Sequence, residues 1–149
     1  MTEPKINVLL VEDQRLIFEG LSSLLGDYPQ IRVAGVATTL ADAVDKMLLL
    51  KPDVVVVEHR LRDGDAVQAV EQVRRQRPET AVLFLSADTS EESMVHAIEA
   101  GARGYLSKAV SMEELVAAIE TAATGKFLLE TATMARVLGH ESARPADRS

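Results

Sequence analysis

Cysteine is missing from all 149 positions of the sequence. Without it the chain has no disulfide framework, no thiolate zinc site and no thiol nucleophile, which excludes cysteine proteases and zinc fingers and suits a reducing compartment. Long apolar runs are missing too, because no segment approaches the roughly 18 apolar residues of a membrane span. The amino terminus also lacks the charged and then apolar pattern of a secretory signal. We therefore expect a cytoplasmic protein with no membrane partner.

An excess of positive charge is absent as well. The chain carries 16 Lys and Arg against 23 Asp and Glu, a net charge of −7, which is the wrong sign for neutralising a phosphate backbone. These residues are therefore not expected to bind DNA by themselves. No GxSxG, GxxxxGKS, GxxxxGKT or GxGxxG motif is present, so the signatures of hydrolases and of nucleotide-binding and dinucleotide-binding proteins are lacking. The length predicts one domain with a short appendage.

Short β-branched runs alternate with longer amphipathic segments five times before residue 125. The runs predict strands at Ile6–Val11, Ile31–Val36, Asp53–Val57, Ala81–Leu85 and Gly104–Leu106. In the segments between them, apolar residues recur at the three- and four-residue spacing of helices. Two of these helices are predicted to begin with a capping box, formed by Thr89 with Glu92 and by Ser111 with Glu114. The alternation predicts an α/β fold with a doubly wound parallel sheet.

Polar residues follow four of the predicted strands. They are Glu12 and Asp13 after the first strand, Glu58 after the third, Ser86 after the fourth and Lys108 after the fifth. Because the carboxyl ends of parallel strands meet at one edge of a sheet, these side chains are expected to converge. Carboxylate oxygens suit magnesium and a lysine supplies positive charge for a phosphate, so the set predicts a divalent-metal and phosphoryl site.

Four motifs resemble those of bacterial two-component response-regulator receiver domains, in the NarL/FixJ branch that carries LuxR-type helix-turn-helix domains. They are INVLLVEDQRLIFEGL, KPDVVVVEHRLRDGD, AVLFLSA and GARGYLSKAVSMEELVAAI. The resemblance runs from Lys5 to Gly125. It implies a CheY-like fold, with a five-stranded parallel sheet flanked by five helices, and a signalling switch rather than an enzyme, with no catalytic residue.

The resemblance also assigns a metal site. Glu12 and Asp13 are similar to the acidic pair that helps to hold magnesium, and the Arg60 backbone carbonyl matches the main-chain metal ligand of the family. It implies Mg²⁺ as a candidate cofactor. Because Lys108 alone could balance the acidic residues, binding of the metal is left open.

Other positions match the phosphoryl-binding and switch residues of the family, with one departure. Ser86 matches the hydroxyl that contacts the phosphoryl group, Lys108 the lysine that pairs with it, and Tyr105 the aromatic switch. The aspartate that accepts the phosphoryl group is replaced by Glu58, and Arg62 stands where proline is common. The glutamate reaches about 1.5 Å further than aspartate and partly imitates a phosphoryl group. This phosphomimetic hypothesis predicts that Ser86 is drawn toward the site and Tyr105 turned inward.

Three alternatives to the phosphomimetic hypothesis stay open. In the first, the site is degenerate, Glu58 pairs with Lys108 for charge balance, and the domain is a constitutive interaction scaffold. In the second, Glu58 is itself phosphorylated, which is least favoured because the attack geometry tolerates little displacement. In the third, the chain is a pseudo-receiver that acts as a protein-interaction scaffold and is either stand-alone or responsive to a small molecule that binds the pocket in place of phosphate.

The resemblance divides the chain into a receiver domain at 1–125 and a linker helix with a flexible tail at 126–149. The linker is expected to lead to a helix-turn-helix domain that this chain lacks, so DNA is expected as a partner only through that domain. A histidine kinase is a further candidate partner.

A homodimer is expected through the fourth and fifth helices or through the first and fifth. The side chains predicted to line the first of these surfaces are Met94, Ile98, Tyr105 and Leu115, with core packing favoured for Ile98 and Leu115. His59 and His96 have no metal-ligand spacing and are predicted to lie on the surface or to pack in helices.

Overall fold

The computed structural model describes residues 5–126 of the chain. In chain order the elements are β1 (Ile6–Val11), α1 (Arg15–Leu25), β2 (Ile31–Ala37), α2 (Leu40–Leu50), β3 (Val54–Val57), β4 (Arg60–Leu61), β5 (Gly64–Asp65), α3 (Ala66–Gln76), β6 (Ala81–Ser86), α4 (Glu91–Ala100), β7 (Gly104–Ser107) and α5 (Met112–Ala123). All five predicted strands are confirmed to within one residue at each end. The two-residue strands β4 and β5 were not predicted, and they form a separate antiparallel pair.

The five long strands form one parallel sheet in the order β2-β1-β3-β6-β7, with helices on both faces. Alternate residues of β1 point to opposite faces, as the pleat of a strand requires. Leu9 and Val11 pack in the core beneath α2, α3 and α4, whereas Val8 and Leu10 pack in the core beneath α1 and α5. All four residues of β3 are buried, because that strand is covered on both faces. The predicted doubly wound fold is thereby confirmed.

The strand order brings four strand ends together. β1, β3, β6 and β7 are consecutive neighbours, and the register pairs Val11 with Val57, Val57 with Phe84, and Phe84 with Tyr105. The residues that follow these strands therefore lie side by side at one edge of the sheet. No helix within residues 5–126 has the length and apolar character needed to cross a membrane.

The helix starts confirm one capping prediction and correct the other. Ser111 and Glu114 form the predicted capping box of α5, in which each side chain binds the backbone N–H of the other residue. The prediction for Thr89 and Glu92 is wrong, because the hydroxyl that accepts from the backbone at the start of α4 belongs to Ser90. The Asp88 carboxylate accepts from the Ser90 backbone N–H, which fixes the turn so that the helix begins one residue later.

The linker helix and flexible tail predicted at 126–149 lie outside the described residues, apart from Lys126 itself. Both stay predictions.

The corrected cap can be tested with neighbouring hydroxyl residues. Replacing an N-cap serine by alanine typically costs about 1 kcal/mol, because one backbone N–H of the first turn loses its acceptor. We expect Ser90→Ala to lower the free energy of unfolding by about that amount and Thr89→Ala to change it by less than about 0.5 kcal/mol. Urea unfolding followed by circular dichroism measures both. A larger loss in Thr89→Ala would return the cap to Thr89.

Candidate functional site

The Lys108 ammonium lies at the centre of the acidic edge. Its Nζ is 2.7 Å from Oε1 of Glu12 and 2.7 Å from Oε1 of Glu58. The side chains of Glu12, Glu58 and Lys108 are only 5%, 12% and 20% exposed, so the two ion pairs are largely shielded from water. One cation therefore balances two carboxylates that come from neighbouring strands.

The second oxygen of each carboxylate binds backbone. Oε2 of Glu12 accepts from the N–H of Gln14 at 3.0 Å, and Oε2 of Glu58 accepts from the N–H of His59. Burial by itself raises the pKa of Glu58, but hydrogen bonds from Lys108 and Ser86, the Lys108 charge and the His59 N–H outweigh burial and lower that pKa. Desolvation likewise lowers the pKa of Lys108, yet the two glutamates raise it overall. Both groups are therefore charged at neutral pH.

Asp13 belongs to a different interaction. Its Oδ2 accepts from the backbone N–H of Arg62 at 2.8 Å, and the Arg62 Nε lies 3.8 Å from the same oxygen. A proline has no backbone N–H and no positive charge. Arg62, at the position where the resemblance leads us to expect proline, thus supplies a hydrogen bond and a nearby positive charge to Asp13.

The residues that the resemblance assigns to magnesium have oxygens of the right kind. In this structure, however, the carboxylates of Glu12 and Asp13 already accept hydrogen bonds, and so does that of the neighbouring Glu58. Within residues 5–126, no group of three or more His, Asp or Glu side chains is gathered closely enough to hold a metal ion. A magnesium ion would compete with Lys108 and Arg62 for these oxygens.

Ser86 lies at the carboxyl end of β6 with 1% of its surface exposed. Its hydroxyl accepts from the Asp88 backbone N–H at 3.1 Å and is among the groups that lower the pKa of Glu58 by hydrogen bonding. Hydrogen bonds from the Ser93 hydroxyl and the Ser90 N–H lower the pKa of Asp88 to about 2. The loop after β6 is thereby held by side-chain hydrogen bonds next to Glu58.

The aromatic ring of Tyr105 is turned into the protein. Only 7% of the residue is exposed, and the ring stacks on Phe84 with centroids 5.5 Å apart and an interplanar angle of 8°. Its hydroxyl donates to the Asp88 carbonyl at 2.6 Å and lies 2.9 Å from Nδ1 of His59. Burial raises the pKa of Tyr105, so the phenol is protonated at neutral pH.

The prediction that Tyr105 lines a dimer surface is wrong, and the prediction that Leu115 packs in the core is confirmed. Tyr105 is buried and lines no surface, and Leu115 is 2% exposed in the core beneath α5. Met94 and Ile98 are partly buried against the opposite core. The cause is the inward orientation of the Tyr105 ring, which stacks on Phe84 in the core.

Sequence reasoning missed His59. The prediction of a surface or helix-packing role is wrong for this residue, because its side chain is completely buried directly after Glu58, with ring contacts to Phe84 and Tyr105. The available signal was its place in the sequence. His59 follows Glu58, which itself follows four consecutive valines. His96 is exposed on α4, as predicted.

Three comparisons with known proteins agree. Residues 8–120 match the family model described as the response regulator receiver domain. The chain is 34% identical over 133 residues to the DNA-binding transcriptional activator DevR/DosR of Mycobacterium tuberculosis, covering 89% of this chain and 61% of that protein. It is 32% identical over 148 residues to the transcriptional regulatory protein MctR of Rhizobium johnstonii, covering 99% of this chain and 69% of that protein.

A solved structure shows the same similarity. The signal receiver domain of the response regulator NarL from Mycobacterium tuberculosis matches with a TM-score of 0.80 and 29% identity, covering 83% of this chain and 100% of that one. The chain spans 61% and 69% of the lengths of DevR/DosR and MctR, so it corresponds to part of those proteins.

Removing the central cation tests the electrostatics of the site. We expect Lys108→Met to lower the free energy of unfolding by about 3 kcal/mol at neutral pH, because two shielded carboxylates lose their counter-charge. Without the lysine, burial raises the pKa of Glu58, so the variant should recover stability as pH falls from about 7 to about 5. The native chain, whose Glu58 pKa is lowered, should lose stability on acidification below about pH 5.

Urea unfolding at several pH values measures how the free energy of unfolding depends on pH in Lys108→Met and in the native chain. The matched control is Lys46→Met, which removes a partly exposed pair with Asp42 at 3.0 Å and a hydrogen bond to the Val36 carbonyl at 2.6 Å. It should cost about 1 kcal/mol, because it leaves no carboxylate buried without a counter-charge. Equal losses for the two variants, or the same pH slope in Lys108→Met as in the native chain, would contradict this account.

Proposed function

The chain belongs to the response regulator receiver domain family, and on that premise we propose that it is an atypical, phosphorylation-independent receiver domain of a transcriptional response regulator. The observation that carries the proposal is the set of contacts made by Glu58, which stands where the family has its phosphoacceptor aspartate. Its carboxylate pairs with Lys108 at 2.7 Å, and the Ser86 hydroxyl is near enough to lower the pKa of Glu58 by hydrogen bonding. Lys108 and Ser86 are the two residues that match the phosphoryl-binding pair of the family. The domain acts as a switch and dimerisation module with a built-in negative charge.

The carboxylate of Glu58 can replace a phosphoryl group only in part. It offers one negative charge and two oxygens, against a charge of about −1.5 to −2 and three acceptor oxygens for a phosphoryl group. Both oxygens are used here, one by Lys108 and the other by the His59 backbone N–H. The contact with Lys108 is shared with Glu12 rather than exclusive. This arrangement supports a negative charge at the site that is permanent but smaller than the charge of a phosphoryl group.

The inward ring of Tyr105 favours the phosphomimetic hypothesis over the degenerate scaffold. Both hypotheses expect the pair between Glu58 and Lys108. Only the phosphomimetic hypothesis also expects Ser86 beside Glu58 and Tyr105 turned inward, and both features are present. The small-molecule alternative gains no specific contact from the described residues.

We assign the metal site to Glu12, Asp13 and the Arg60 carbonyl, where a bound magnesium ion would supply positive charge to offset the acidic cluster. Lys108 and Arg62 already supply positive charge to the same carboxylates. The proposed switch therefore works without the ion, and Arg62 sets how strongly Asp13 is available to it.

Truncating Arg62 should strengthen magnesium binding. We expect Arg62→Ala to lower the Kd for Mg²⁺ about fivefold, because an exposed ion pair worth about 1 kcal/mol no longer competes for Asp13. Isothermal titration calorimetry with magnesium chloride measures the change. The control is Arg15→Ala, which removes an exposed guanidinium that pairs with Glu19 at 2.8 Å instead. An unchanged Kd in Arg62→Ala would remove Arg62 from the metal site.

The partners of the proposed regulator follow from the family. A homodimer is its active form, and DNA binding belongs to a C-terminal helix-turn-helix domain outside this chain. The printed names of DevR/DosR and MctR, which describe transcriptional regulators, support this assignment. A histidine kinase is a partner only if phosphoryl transfer survives the glutamate.

The function is tested by the association state of three forms of the 149-residue chain. Glu58→Gln keeps the length and removes the charge, whereas Glu58→Asp keeps the charge and restores the shorter family residue. We expect the native chain to dimerise and Glu58→Gln to associate about tenfold more weakly, which corresponds to the loss of one charge-assisted contact. Sedimentation equilibrium at matched concentrations, with and without magnesium, measures this.

If all three forms associate alike, Glu58 is not the activating signal and the scaffold hypothesis takes its place. Intact-mass analysis after incubation with acetyl phosphate and magnesium provides an independent check. The native chain should gain no phosphoryl group, with Glu58→Asp as the matched acceptor control. A phosphoryl adduct on native Glu58 would contradict phosphorylation independence.

A further inference from the structure

The contacts of the buried histidine lead to a role that the phosphoryl site does not use. His59 is completely buried and its backbone is fixed on both sides: its N–H donates to Glu58, and its carbonyl accepts from the N–H of Ala66 at 2.8 Å. The residue is therefore a rigid connection between the strand that carries Glu58 and the first residue of α3. Its ring projects from this fixed backbone toward Tyr105.

The hydrogen atoms around the Tyr105 hydroxyl can be assigned by counting donors. A carbonyl can only accept, so the single hydroxyl proton of Tyr105 is donated to the Asp88 carbonyl at 2.6 Å. The 2.9 Å contact between that hydroxyl and His59 Nδ1 is then a hydrogen bond only if Nδ1 carries a proton. If both contacts are hydrogen bonds, His59 is the donor and the Asp88 carbonyl the acceptor. The Ser86 hydroxyl is a further neighbour of the Tyr105 hydroxyl, and its hydrogen bonding lowers the pKa of Tyr105.

The other ring nitrogen contributes less to this orientation. Nε2 of His59 lies 3.2 Å from Oδ1 of Asp65, but the two atoms are misaligned and form no hydrogen bond of normal geometry. Asp65 instead accepts from the Val67 N–H at the start of α3. The edges of the His59 ring also touch Phe84, with centroids 5.3 Å apart.

We propose that His59 is a positioning residue that holds Tyr105 in its inward orientation by donating a hydrogen bond from Nδ1 to the tyrosine hydroxyl. A tyrosine that swings outward must break this bond and the bond to Asp88, and it leaves a buried nitrogen donor without a partner, which is unfavourable. The inward state is then stabilised from the β3 side of the switch, separately from the Glu58 carboxylate. This inference rests on the proposed function only where it identifies the inward ring with the active-like state.

The test uses the small number of aromatic residues. The chain has two tyrosines and no tryptophan, so Tyr28→Phe leaves Tyr105 as the only tyrosine emitter. In that background we expect weak quenching of the Tyr105 emission by acrylamide. His59→Leu, which keeps bulk but removes the donor, should raise the quenching constant several-fold. His59→Asn, whose amide nitrogen can occupy the place of Nδ1, should restore the low value.

Quenching in His59→Leu that equals the parent value would overturn the proposal. So would a variant pair in which Glu58→Gln exposes Tyr105 and His59→Leu does not, because the ring would then be held by the carboxylate. Quenching is measured at a concentration at which sedimentation shows the same association state for all variants, so that it reports the position of Tyr105 alone. Failure of the proposed function is seen separately, as unchanged association of Glu58→Gln.

A measurement on the native chain covers the case in which the buried His59 variants fail to fold. The chain has three histidines, and nitrogen NMR of ring-labelled histidine reports which ring nitrogen carries the proton. The His59 signals are assigned by elimination, because replacing His96 or His140 singly removes the signals of that residue. We expect a protonated Nδ1 for His59 at neutral and mildly alkaline pH. A bare Nδ1 would overturn the proposal, because Tyr105 has no second proton to donate.

Discussion

The sharing of one lysine by two buried carboxylates is the constraint on which the rest of the site depends. Glu12 and Glu58 end neighbouring strands, so the sheet itself places two negative charges close together where water is largely excluded. Two neighbouring carboxylates disfavour each other's ionisation, and the Lys108 ammonium reverses that preference by contacting both of them. The remaining carboxylate oxygens bind backbone N–H groups, which fixes the side chains in single orientations. Because Lys108 follows β7, this interaction also ties the far strand of the cluster to β1 and β3.

A second layer of contacts connects this charge cluster to the aromatic switch. Glu58 and His59 are consecutive, so the carboxylate that contacts Lys108 and the imidazole that contacts Tyr105 extend from adjacent backbone positions. The Asp88 carbonyl closes the network from the β6 loop. A receiver that depends on phosphorylation must gain its activating charge from outside, whereas here the charge and the aromatic contacts are both encoded in the chain. That difference is the physical basis of the proposed phosphorylation-independent switch.

Much of the fold was predictable from sequence because strand burial leaves a direct pattern. The valines of β3 predicted a central strand, and the polar residues after β1, β3, β6 and β7 predicted a shared edge. Less was predictable at the level of single side chains. Thr89 and Ser90 carry equivalent hydroxyls, and only the turn held by Asp88 decides which of them caps α4. His59 looked like an isolated histidine because its partner Tyr105 is 46 positions away along the chain.

The sequence by itself determined the sheet, its helices, the acidic edge and the presence of Glu58 directly after β3, since these depend on local periodicity and residue identity. Only the tertiary structure decided how the charges are distributed. It gave Lys108 to both glutamates, gave Asp13 to Arg62 through a backbone N–H that proline lacks, and turned Tyr105 inward onto His59 and Asp88. These choices depend on distances between atoms from different strands and loops, and electrostatic and hydrogen-bond energies fall off too steeply with distance and angle to be inferred from spacing along the chain.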